Sequence, residues 1–137
     1  MEPEVKQSRR AAAVAATLIA VAGAAHLAFA ITAISGGESL QANVEEIESN
    51  ADFGKLYFSL GTWGVIMLIA GAGEIAASAS FWRRTTNWRL AGLLGAYGGL
   101  AGSFFTLAIF RVAGLVTIAV LLVAIYLLSY HSGERPS

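Results

Sequence analysis

The chain has 137 residues, a formal charge of zero, 56% hydrophobic residues and only 13% charged ones. A water-soluble domain carries about 25% charged residues, and one this short could not bury so much apolar surface. The neutral balance gives no footing for nucleic acid, and the absence of cysteine excludes disulfides, thiolate metal sites and thiol catalysis.

The apolar residues fall in runs of about twenty, the length a helix needs to cross the hydrocarbon of a bilayer. Backbone groups in lipid must bond within their own segment, so these runs are predicted helices. Span one covers residues 11–34, "AAAVAATLIAVAGAAHLAFAITAI", and follows the basic Lys6, Arg9 and Arg10. With "AFA" at 28–30 it also has the look of a secretory signal peptide. The apolar run continues through Ile31 and Ile34, longer than a signal core, so it is read as an uncleaved span.

The acidic segment at 35–54 carries Glu38, Glu45, Glu46, Glu48 and Asp52. Leu40, Val44, Ile47 and Ala51 recur in it at helical spacing, predicting a short amphipathic helix on the outer surface. Its "EEIE" lacks the oxygen spacing and glycine turn of a calcium loop and reads as a solvated face. Span two is predicted at 56–81, span three at 90–110 and span four at 112–130. The tight "FRVAG" connection makes the last two spans antiparallel neighbours.

Orientation follows from the basic residues. Lys6, Arg9, Arg10, Arg83, Arg84, Arg89 and Arg135 share one side, against Lys55 and Arg111 on the other. That bias places both termini in the cytoplasm, and Trp82, Trp88 and Tyr130 fall at the inner boundary as interfacial aromatics should. The expected fold is all-α: one integral membrane domain over 1–137, a four-helix transmembrane bundle with both ends inside. Arginine outnumbers lysine seven to two and alanine is abundant, which associates with GC-rich bacterial genomes and so with a bacterial inner membrane.

Helices in lipid associate through small residues that let backbones approach. Gly92, Gly95, Gly99 and Gly102 form one stripe on span three, with Gly98 a further small-residue partner of Gly102. Gly64, Gly71 and Ala77 offer the same on span two, and Ala16, Ala20 and Gly23 on span one. These glycines lie mid-span, away from any helix start, so they are not a phosphate-binding loop.

Two ionisable residues lie inside the spans. Counting about 1.5 Å per residue from the inner helix ends puts Glu74 at about 10 Å, level with Thr17, Tyr97 and Tyr126. The same count puts His26 at about 22 Å, level with Ser103, Thr106 and Thr117. A vertical gap of about 12 Å predicts two polar layers and no direct Glu74–His26 ion pair. An intramembrane carboxyl is costly and marks function by default; its bland alternative is a hydrogen-bonded acid that helps hold the bundle. One histidine completes neither a haem nor a metal shell, and His131 lies beyond the opposite end of the bundle. No serine–histidine–acid arrangement, metal cluster or cofactor site is expected.

The pattern resembles an uncharacterised family of small four-helix membrane proteins common in actinobacteria, and more distantly the DoxX-like four-helix group. The likeness rests on Trp63-Gly64 with Gly71 a heptad later, Trp88-Arg89 with Gly92 and Ala96, and "AIYLL" from Ala124. It covers span one and residues 56–130. Two positions depart from it: Arg83 and Arg84 enlarge the inner loop, and Glu74 stands where an aliphatic residue is expected. The resemblance implies topology and no activity. Small multidrug transporters, also four-helix proteins, carry their essential glutamate in span one, which this chain does not. Three functional expectations follow. The first is a non-enzymatic bundle acting through packing, with the bilayer, another copy or another membrane protein as partner. The second is a small proton-coupled transporter or permeation unit with Glu74 as its titrating group. The third, and weakest, is a redox or haem accessory using His26.

Overall fold

A computed structural model describes residues 3–35, 60–109 and 111–131, and among these every regular element is helical. The acidic segment from 36 onward and the predicted start of span two lie outside the described residues. Helix α1 runs Pro3–Ser35, beginning eight residues before the predicted span. Proline suits a first helical turn, where its missing N–H has no partner to lose. Lys6, Arg9 and Arg10 therefore stand on a helical extension of span one. Helix α2 is Leu60–Trp82, α3 is Trp88–Ile109 and α4 is Arg111–Tyr126, followed by a π-helical turn at Leu127–His131.

The turn between α2 and α3 is a Schellman stop. Thr85 N–H donates to Ser80 O at 3.1 Å and Arg84 N–H to Phe81 O at 3.0 Å, the pair of bonds that closes a helix through a left-handed residue. That residue is Arg84, with φ 55°, where an L side chain crowds its own backbone. Arg84→Gly should therefore stabilise the protein by about 1 kcal/mol. Thermal melting in detergent tests this: Arg84→Gly should melt higher than wild type, and Arg83→Gly, in the preceding turn, should not. Asn87 then opens α3, its carbonyl accepting from Ala91 N–H at 3.0 Å. Phe81 packs edge-on against both Trp82 and Trp88, at 5.0 and 5.2 Å between ring centroids.

The π turn differs from the regular helix expected through residue 130. An α3 side chain reaches the carbonyls of this last turn. Arg89 donates from Nε to Leu128 O at 2.9 Å and from Nη2 to Ser129 O at 3.0 Å. Arg89 thus ties the start of α3 to the end of the chain's last helical turn.

Each helix packs on the next in chain order, and α4 returns to α1. The contacts are antiparallel: Ser78 Oγ donates to Ala16 O at 2.8 Å, while Gly71 faces Gly23 and Gly64 faces Ala30. The interior is made of small residues, Ala15, Ala22, Ala96 and Ala124 around Ile19 and Leu121. Large apolar side chains point out instead: Ile69 is 68% exposed, Leu94 65% and Val112 77%. A water-soluble bundle reverses that arrangement. By length and composition α1, α2 and α4 are able to cross a membrane, over Lys6–Ser35, Thr62–Trp82 and Arg111–Tyr130.

Candidate functional site

Glycine brings three backbones together at one level. A Cβ on Gly71 would lie 2.8 Å from Gly23 O and 3.0 Å from Leu27 N, so α1 and α2 touch backbone to backbone there. On the other flank of α2, a Cβ on Gly95 would meet Ala77 Cβ at 2.5 Å and one on Gly102 would meet Ala70 Cβ at 3.1 Å. At Gly99 the added atom would collide with Glu74 Oε1. The Glu74 carboxyl thus fills the notch left by the missing side chain of Gly99.

Within this junction lies a polar cluster with one member from each of α1, α2 and α3. His26 Nδ1 is 2.6 Å from Glu74 Oε2, and both side chains are fully buried. His26 Nε2 is 3.1 Å from Ser103 Oγ, and Ser103 Oγ donates to Gly99 O at 2.9 Å. The second carboxyl oxygen, Glu74 Oε1, is buried with no hydrogen-bond partner. Acid, imidazole and hydroxyl form one line from α2 through α1 to α3.

This overturns the two-layer expectation, for two physical reasons. The register is set by Ser78 on Ala16 and Gly71 on Gly23 and Leu27. It leaves the α carbons of His26 and Glu74 offset by about four residues, or about 6 Å. Side chains on a helix also lean toward its N-terminus. His26 on α1 leans toward the end of the bundle that holds Lys6 and Glu74 on antiparallel α2 leans toward the opposite end, so the two close the remaining gap from opposite sides. A serine–histidine–acid arrangement, not expected from the sequence, is likewise present.

The other predicted companions of Glu74 are elsewhere. Thr17 is exposed and donates to Ala13 O in its own helix. Tyr97 and Tyr126 are 56% and 53% exposed, and Tyr126 packs against Tyr130 at 5.3 Å. Of the residues placed level with His26, Ser103 does bond to it, whereas Thr106 and Thr117 donate back to carbonyls of their own helices. In the glycine set, Gly64 faces Ile34 and Ala30, Gly92 faces Leu128, and Gly98 meets nothing within 4 Å. Ser78, which bonds across to α1, joins the junction as well; its signal in the sequence is the spacing of four from Glu74, which places both on one face.

His26 has no lone pair free for iron, because both ring nitrogens are engaged. Among the described residues no three potential metal-ligating side chains lie together. The cluster has the connectivity of a catalytic triad, acid to Nδ1 and Nε2 to serine oxygen. It lacks the rest of the machinery. Ser103 is fully buried and mid-helix, where neighbouring N–H groups are bonded along the helix and none is free to bind an oxyanion.

Small residues inside, large apolar residues outside and three helices long enough to cross the hydrocarbon mark a helical membrane protein. The chain belongs to a family defined as a domain of unknown function, DUF7144, whose model matches residues 11–133. No curated protein and no solved structure matches the chain significantly.

Proposed function

We propose that the protein is a non-enzymatic four-helix membrane module that acts through packing, as an accessory subunit or by self-association. The observation that carries this reading is the sealed His26–Glu74–Ser103 cluster, in which Glu74 and His26 have no exposed surface. A transporter must bring water or substrate to its titrating group, whereas a packing module needs that group locked between helices. In this reading the cluster fixes the register of α1, α2 and α3, a role buried polar groups play where apolar packing alone leaves alternatives open. The bilayer is the protein's surroundings, and another copy or another membrane protein its partner.

The proposal includes α3 as the fourth span, supported by its outward Leu94 and Phe104, 65% and 60% exposed. It also includes both termini in the cytoplasm of a bacterial cell. Lys6, Arg9 and Arg10 on α1 and Arg83, Arg84 and Arg89 at the α2–α3 turn gather at one end of the bundle. Actinobacterial origin and distant DoxX-like kinship belong to the same proposal and rest on the sequence resemblance.

Reconstitution in liposomes tests the sealed state. Ser103→Cys, a nearly isosteric change, should stay unreactive toward a small water-soluble thiol reagent, while Thr85→Cys in the exposed turn labels readily. Labelling at Ser103→Cys as fast as at Thr85→Cys would show a water path to the cluster and replace the packing reading with the transport one. A fluorophosphonate probe should likewise leave wild-type Ser103 unmodified; modification there would make the protein an enzyme.

A further inference from the structure

We infer that His26 and Glu74 form a single proton-binding site with two hydrogen-bond polarities, and that the Ser103 hydroxyl turns when the proton leaves. Ser103 has one hydroxyl hydrogen, and it is donated to Gly99 O at 2.9 Å. At the 3.1 Å contact with His26 the serine oxygen is then the acceptor, so Nε2 carries a hydrogen. The 2.6 Å contact between Nδ1 and Oε2 must hold one more proton, because otherwise two lone pairs would face each other.

The silent oxygen shows where that proton resides. A carboxylate spreads its charge over two oxygens with about four acceptor sites in all, and burying such a charge without donors is costly. Glu74 Oε1 is buried with no donor at all. It is the carbonyl oxygen of a neutral acid, and Oε2–H is the donor to Nδ1. The bonds therefore run one way: Glu74 O–H to His26 Nδ1, His26 Nε2–H to Ser103 Oγ, Ser103 O–H to Gly99 O. Such a line of aligned donors is mutually reinforcing.

Loss of one proton to water reverses the line without moving heavy atoms. Glu74 becomes a carboxylate accepting from Nδ1–H, Nε2 presents its lone pair to Ser103, and the serine hydrogen turns from Gly99 O to Nε2. The site thus exchanges net charge zero for minus one, and α3 registers the change through one hydroxyl. Nothing else ionisable among the described residues faces this cluster. Lys6, Arg9 and Arg10 precede His26 by four turns or more of α1, and Arg83 lies past the end of α2. On α3 and α4, Arg89 and Arg111 stand at helix starts, and Tyr97 and Tyr126 are more than half exposed.

The test uses the full chain in lipid bilayers, with His131→Gln leaving His26 as the only histidine. Nitrogen-15 spectra of the ring should show Nε2 protonated and Nδ1 an unprotonated acceptor at neutral pH. The infrared spectrum should show a carboxylic-acid C=O band that is absent from Glu74→Gln. On alkaline titration the acid band and the tautomer should change together, Nδ1 gaining the hydrogen that Nε2 loses. A doubly protonated ring beside a carboxylate band at neutral pH would overturn the neutral-acid polarity. A tautomer that stays fixed while the acid band disappears would overturn the coupling to Ser103. The nitrogen spectra need no change at Glu74, so the inference stays testable if Glu74→Gln does not fold. It also stands apart from the sealed-module reading, since a water path to Ser103 would alter the rate of proton exchange and leave the tautomers as described.

Discussion

Gly71→Leu is expected to cost about 3 kcal/mol, at the upper end of what overpacking does, while Gly73→Leu two residues away changes stability by less than about 0.5 kcal/mol. The difference is in what each side chain meets. At Gly71 even a Cβ would sit 2.8 Å from Gly23 O and 3.0 Å from Leu27 N. Both are backbone atoms of a helix, so no rotamer change relieves the clash and α1 must move away from α2. Separation there also pulls His26 from Glu74, adding the loss of the cluster to the steric cost. At Gly73 a Cβ meets nothing within 4 Å, and the new leucine points outward as Leu68 and Ile69 do. Thermal or denaturant unfolding in one detergent measures both variants. Equal losses would remove the backbone-to-backbone contact as the basis of the α1–α2 interface.

How much of this was legible beforehand divides along a physical line. Helices were legible because their signal is local: apolar runs of the right length broken by Arg83 and Arg84 or by Arg111. The packing face of α3 was legible too, since Gly95, Gly99 and Gly102 repeat every three or four residues and all three meet α2. Pairing between helices was not, because depth counted along one helix carries no information about its register against another. The register came from where glycine lets backbones touch, at Gly23 and Gly71, which shows only once the helices are placed. Depth also says nothing about facing. Tyr97 lies between Gly95 and Gly99 in sequence but about 200° from each around the helix at about 100° per residue, so it points away from the cluster. Ser103, four residues beyond Gly99, shares its face, as Ser78 shares that of Glu74. Asking which polar residues fall on the glycine faces selects His26, Glu74, Ser78 and Ser103 and discards Thr17, Tyr97 and Tyr126.

The largest energetic coupling in the protein is expected between His26 and Glu74, and a double-mutant cycle measures it. Glu74→Leu leaves His26 Nδ1 without its donor, and His26→Leu leaves the carboxyl without its acceptor and Ser103 Oγ without its donor. Each single change removes one partner from a buried bond and strands the other, the costly way to break it. Interhelical hydrogen bonds in bilayers average about 0.6 kcal/mol and reach about 1.7 kcal/mol. A 2.6 Å contact with both side chains fully buried belongs at the upper limit, so each single variant should lose about 1.5 kcal/mol or more. The double Leu variant strands neither ring nor carboxyl, and should lose less than the sum of the two by about 1–2 kcal/mol. Glu74→Gln separates the polarity of the bond from its mere presence. An amide N–H₂ still donates to Nδ1 as the neutral acid does, and its carbonyl takes the silent place of Oε1 beside Gly99. The loss should therefore stay below about 0.5 kcal/mol. A glutamine variant as unstable as the leucine one would mean that the contact needs a carboxylate, and the neutral-acid assignment would fail. Additive single losses, with no coupling, would mean that the pair contributes nothing to holding α1 on α2.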